Sequence, residues 1–187
     1  MSADTLARRL GTTPHLSPLL MKARRAGLAA PGDLERLAIQ RGCKYYAGAG
    51  DATFRPAGDA AAEKSVPAAA TFSNEELAIA LLSLTLPYSQ HRLRLGAAMT
   101  AAAGNAPATL ARLAVQERCA TVLLHIAACG RKVEPDHPFW QEILTLLPNT
   151  PAAQPWVLPH ITRFVAMTGI TRRGRETVMQ WIRPAAA

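Results

Sequence analysis

Acidic residues, aromatics and cysteines are all scarce in this chain. Thirteen Asp and Glu stand against 21 Lys and Arg, a formal net charge of +8. That balance permits an anionic partner without naming one. Aromatics make up 5%, and β-branched residues are few beside Ala and Leu, which speaks against an all-β fold. Three cysteines are an odd count and too few for a disulfide framework, so a reducing cytoplasm is the expected compartment. Long apolar runs are missing as well. No apolar stretch follows Arg8 and Arg9 near the start, as a secretory signal would require. The longest run, Cys119 to Cys129, is interrupted by Thr121 and His125 and falls short of the roughly 20 residues that span a bilayer. The phosphate-binding GxxxxGK[ST], the dinucleotide GxGxxG and the nucleophile GxSxG patterns are all absent. The expectation is therefore a non-enzyme with no membrane span, no cofactor and no metal. What is present is 187 residues, 49% of them hydrophobic, enough for one domain with a sizeable core.

Charge and composition divide the chain into three. Residues 1–46 form a basic segment with a net charge of +5 and helical character. Residues 47–72 are rich in Ala, Gly and Pro, carry a net −1, and are broken by Pro56 and Pro67; they read as a linker or long surface loop. Residues 73–187 form the main helical domain. Ser73-Asn74-Glu75-Glu76 fits a capping box, opening a helix that should stop before Pro87. A second helix should run from Ser89 to Ala103, with Arg92 and Arg94 on its more polar face. A third should start at Pro107 and continue to Gly130. Asp136 can cap a fourth, with Pro138 in its first turn. A fifth should lead from Val157 through Phe164 to Gly169, and a sixth should carry Val178, Trp181 and Ile182 to Pro184. No segment alternates with period two over enough residues to suggest a strand.

One motif recurs. Ala30 to Cys43, APGDLERLAIQRGC, matches Ala106 to Cys119, APATLARLAVQERC, at eight of 14 positions. Pro, Arg, Gln and Cys fall in register along with Ala and Leu. A fainter echo links Ala98-Met99-Thr100 to Ala166-Met167-Thr168. A turn-plus-helix unit of this kind cannot cover its own apolar face and needs a neighbour. The A-P-x-x-L-x-R-L-A form resembles the first helix of units in helical-repeat proteins of the HEAT-like and leucine-rich-variant kind. The resemblance covers about 14 residues per copy, lacks a regular short period, and lacks the cysteine cluster that leucine-rich-variant proteins carry for an iron–sulfur centre. It implies stacked helices and a binding role, and transfers no functional residue. The expected fold is all-α, with stacked antiparallel helix pairs, either helical-repeat-like or an orthogonal bundle.

Chemistry-bearing groups are sparse. Cys119, His125 and Cys129 fall on one helix, and His125 and Cys129 share a face. Zinc wants four ligands, or three and a water, at short paired spacings, and neither CxxC nor HxxxH occurs. Small side chains packed in a helix explain the three better. A Cys129/His125 nucleophile pair would need an exposed thiolate, whereas Val122, Leu123, Leu124 and Ile126 look like core. Glu75 and Glu76 belong to a helix start. Glu117 beside Arg118 and Arg112 reads as a surface ion pair. Asp136-His137 resembles an orienting pair only on paper, since a helix cap explains the Asp.

Two basic clusters remain as candidate contact residues. One comprises Arg8, Arg9, Lys22, Arg24 and Arg25, with Arg36, Arg41 and Lys44 behind them. The other comprises Arg163, Arg172, Arg173, Arg175 and Arg183. Residues 163–183 resemble a helix-turn-helix, with a Gly-containing turn before a recognition helix. Exposed aromatics for stacking on single strands are limited to Tyr45-Tyr46. The expectation is a binding or regulatory protein whose basic helical surface meets an acidic macromolecule, most simply a protein. Nucleic acid, met by the 163–183 hairpin and the N-terminal arginines, is the alternative. The oligomeric state is left open.

Overall fold

The computed structural model describes residues 4–13, 15–43, 72–153, 156–168 and 178–185. These form eight α-helices: α1 (Leu6–Arg9), α2 (Pro18–Arg25), α3 (Pro31–Gln40), α4 (Asn74–Leu81), α5 (Gln90–Thr100), α6 (Pro107–Gln116), α7 (Ala120–Val133) and α8 (Pro138–Leu146). A 3-10 turn (Ile161–Arg163) and two strands, β1 (Val165–Thr168) and β2 (Val178–Trp181), complete the order.

α4 is the central rod. Ser73 accepts from the Glu76 amide, and the Glu76 carboxylate accepts from the Ser73 amide, so the capping box forms as the sequence requires. Every residue from Leu77 to Leu82 is fully buried, and a helix apolar all round belongs inside. α2, α3, α5 and α6 all pack on it. Each buried Leu there is worth about 1.5–3 kcal/mol. Around α4, residues 6–43 and 72–182 contribute to one hydrophobic core. The N-terminal helices pack into this core through Leu6, Leu19 and Leu34. Leu6 and Ala7 donate to Leu86 and Leu84 carbonyls, and Thr5 bridges Pro87.

The two copies of the repeated motif adopt the same local structure. α3 and α6 each start with Pro in the first turn, after Ala30 and Ala106. Leu34, Leu37 and Ala38 are buried, as are Leu110, Leu113 and Ala114. Both helices end in the same paired turn: Cys43 and Cys119 donate to Ala38 and Ala114 carbonyls at 3.1 and 2.9 Å, while Gly42 and Arg118 donate to Ile39 and Val115 at 3.0 and 3.1 Å. This turn needs a left-handed residue. Gly42 has φ +105 and Arg118 φ +54. Arginine bears a conformational cost of roughly 1 kcal/mol that glycine avoids. Gly42 is also hemmed in. A Cβ there would sit 2.4 Å from the Ala185 carbonyl oxygen, because the C-terminal tail lies on this turn through an Ala185 N–H to Gly42 bond of 3.0 Å.

Several expectations need correction. The single helix from Pro107 to Gly130 is two, α6 and α7, broken at the left-handed Arg118, and Cys119 opens the second. His137 rather than Asp136 caps α8, its Nδ1 accepting from the Phe139 amide at 3.3 Å. Arg92 is not on a polar face but 1% exposed. The fifth and sixth helices are absent from the described residues. β1 and β2 pair antiparallel there, Val165 with Trp181 through Thr168 with Val178. Trp181 on β2 and Phe164 just before β1 both reach the interior, where their ring centroids lie 5.5 Å apart. The helix-turn-helix expected over 163–183 therefore does not form at its described flanks. Arg172, Arg173 and Arg175 lie outside the described residues, as do Lys44, Tyr45, Tyr46 and all of the 47–72 linker except Phe72, which is buried.

An aromatic chain ties the strands to the helices. Trp140 and Trp181 have centroids 4.8 Å apart, and Phe139 adjoins Trp140 at 5.0 Å. Gly130 makes room for this: a Cβ there would fall 2.3 Å from the Trp140 ring. The Trp181 indole donates to the Ala97 carbonyl at 3.4 Å, and the Trp140 indole to Glu134 at 2.8 Å.

Candidate functional site

The candidate arginines occupy different environments. Arg8 is exposed at the end of α1, and Arg24 and Arg25 are exposed in the last turn of α2. None of the three has a carboxylate ion-pair partner among the described residues. Arg9 is exposed but held: its Nε lies 2.7 Å from Asp4, and its guanidinium stacks 3.6 Å over the Tyr88 ring. Arg163 is exposed on the 3-10 turn, and its carbonyl accepts from Arg94 Nε at 3.0 Å. Arg183 is half-buried and bound two-pronged to Glu134 at 2.6 and 2.5 Å. That pair, with the Trp140 indole, holds the Glu134 carboxyl below its ordinary range in spite of its burial.

A groove of about 740 Å³ gathers a further set of groups. Arg41, Asn74, Asn105, His137 and Arg183 line it with the alanines of the α5–α6 turn and the C-terminal tail. Arg41 donates to Asn74 Oδ1 at 2.9 Å and to the Phe72 carbonyl. Burial lowers its pKa, and Glu76 opposes the shift. The cationic groups are thus fixed by the protein itself, and the groove adds positive lining to an already basic exterior.

Surface charge is strongly one-sided. Among the described residues ten Lys and Arg are exposed: Arg8, Arg9, Arg24, Arg25, Arg36, Arg112, Arg118, Arg131, Lys132 and Arg163. Only Asp4, Asp136 and Glu142 are exposed acids. The other described carboxylates are half-buried or buried. Glu117 is the extreme case at 2% exposed. It is not a surface ion pair. Its carboxylate takes the Ser17 hydroxyl and, at 2.8 Å, the Leu19 amide, and so caps α2 from the end of α6. Nothing in the local sequence around either segment signals this, because the partners are about 100 residues apart.

Arg92 was also not legible. Its Nε donates to the Leu81 carbonyl at 3.1 Å, and its Nη2 has no hydrogen-bond partner among the described residues. Burial lowers its pKa to about 10, while Glu35 opposes the shift. A buried guanidinium that closes the end of α4 is costly to keep and costly to truncate.

The cysteines and histidine do not assemble a reactive centre. His125 Nε2 lies 2.9 Å from the Pro159 carbonyl and 3.7 Å from Cys129 Sγ. A ring nitrogen facing a carbonyl carries the proton, so it donates and cannot also take one from the thiol. Burial lowers the His125 pKa and pushes the Cys129 thiol up to about 11. Burial likewise raises Cys43 to about 12 and pushes Cys119 higher still. Among the described residues no three His, Cys, Asp or Glu side chains are placed to hold a metal ion. All three thiols should resist iodoacetamide in the native protein at about pH 8, since the thiolate is the nucleophile. Mass spectrometry should find them alkylated only after denaturation. Rapid native labelling of Cys129 would show an accessible thiolate instead.

No helix among the described residues is long and apolar enough to cross a membrane. No protein-family model, no curated protein and no solved structure matches the chain.

Proposed function

We propose that this chain is a non-catalytic binding protein whose basic helical surface takes an acidic macromolecule, and that the partner is a protein. The observation that carries the reading is the excess of exposed cations over exposed acids. Burying or pairing carboxylates while leaving Arg8, Arg24, Arg25 and Arg163 in water sets up a positive field that steers an acidic partner and rejects basic ones. The closed, helix-packed core supports it too. The three thiols are buried, and His125 is held against the Pro159 carbonyl. Among the described residues of 163–183, strands stand where the recognition helix was expected, which favours protein.

Immobilised protein exposed to cell extract should retain an acidic protein, release it as salt rises, and retain it after nuclease treatment. Arg24→Glu with Arg25→Glu should cut recovery severalfold. Retention abolished by nuclease would assign the surface to nucleic acid. Retention of nothing at low salt would remove the reading.

A further inference from the structure

The two matched helices differ in how their outer faces are covered. On α3, Arg36 is paired with Asp33, Ile39 packs partly against the core, and Gly42 lies beneath the C-terminal tail. The corresponding positions on α6 are bare. Arg112 reaches only the neutral Gln116 Oε1, at 3.3 Å. Val115 is 59% exposed. Arg118 is exposed and holds a left-handed turn that glycine would hold without strain. The carboxylate of this turn, Glu117, is withdrawn into the interior to hold residues 17–19. The result is an exposed valine flanked by two arginines, with the local acid turned inward.

We infer that this α6 corner, Arg112, Val115 and Arg118, is a docking surface for an acidic amphipathic segment of a partner protein. The inference rests on the reading that the partner is an acidic protein, and it locates the contact. Charge complementarity selects the occupant. A second copy of this chain would bring +8 against +8, whereas a segment carrying Glu or Asp beside Leu answers both the guanidiniums and the exposed Val115. Retaining arginine at a position where its twin has glycine is explained if the guanidinium is used.

The test uses fluorescence anisotropy with two labelled probes: a peptide of alternating Glu pairs and Leu pairs, and poly-glutamate. The intact chain should bind the Glu/Leu peptide more tightly than poly-glutamate. Arg118→Gly and Val115→Ser should each weaken that binding by about tenfold. Arg118→Gly should at the same time leave the thermal midpoint unchanged or raise it, which separates lost contact from lost fold. Binding of the Glu/Leu peptide that is indifferent to both substitutions, or that is no better than poly-glutamate, would overturn the docking surface and leave the acidic-partner reading standing. Failure of both probes, together with an empty extract experiment, would overturn both.

Discussion

Trp181→Ala should lower the free energy of unfolding by about 3–5 kcal/mol, the usual cost of emptying a large buried aromatic site. Trp181 is 2% exposed, stacks between Trp140 and Phe164, and donates its indole proton to Ala97. It is the chief anchor of the β1–β2 pair on α5 and α7. Its removal leaves a void beside Trp140 and an unanswered carbonyl. Met179, two residues earlier on the same strand, is 45% exposed, so Met179→Ala should cost under about 1 kcal/mol. Urea denaturation followed by tryptophan fluorescence and circular dichroism measures both. A Trp181→Ala cost below about 1 kcal/mol would mean that the strands are not seated on the helices as described.

The second large effect belongs to Glu117. Glu117→Ala should cost about 3 kcal/mol, because it leaves the Ser17 hydroxyl and the Leu19 amide without their acceptor in the interior. Glu117→Gln should cost less, about 1–2 kcal/mol, since a neutral amide oxygen can still accept from Leu19. The ordering of the two variants in a denaturant titration is the diagnostic. Equal stability of Glu117→Ala and the parent protein would show that the carboxylate does not hold α2.

Helix starts were the readable part of this fold. Ser73 with Glu76, Pro107 and Pro138 begin helices where their local chemistry says they should, since a cap or a first-turn proline depends only on its neighbours. The α3/α6 likeness was readable for the same reason. The break at Arg118 was not, because a left-handed arginine leaves no glycine as its marker. The strands were misread because Phe164–Thr168 and Val178–Ile182 are short apolar runs whose period does not distinguish helix from strand. What decides them is the distant aromatic cluster. Arg92 and Glu117 escaped for an allied reason: an ionisable side chain is assigned to the surface until a remote partner is known. Of the candidate contact residues, Arg8, Arg24 and Arg25 are exposed on short N-terminal helices whose bounds the sequence did not mark. Engagement of Arg183 by Glu134 depends on a contact 49 residues away.

The tail resting on Gly42 and the α2 start resting on Glu117 have a topological consequence. Solenoids lengthen by adding units because each terminal unit presents an open edge to the next. Here the C-terminal tail lies on Gly42 at the end of α3, and the start of α2 is held by the Glu117 carboxylate at the end of α6. A further unit stacked against either helix end would have to displace one of these two contacts first.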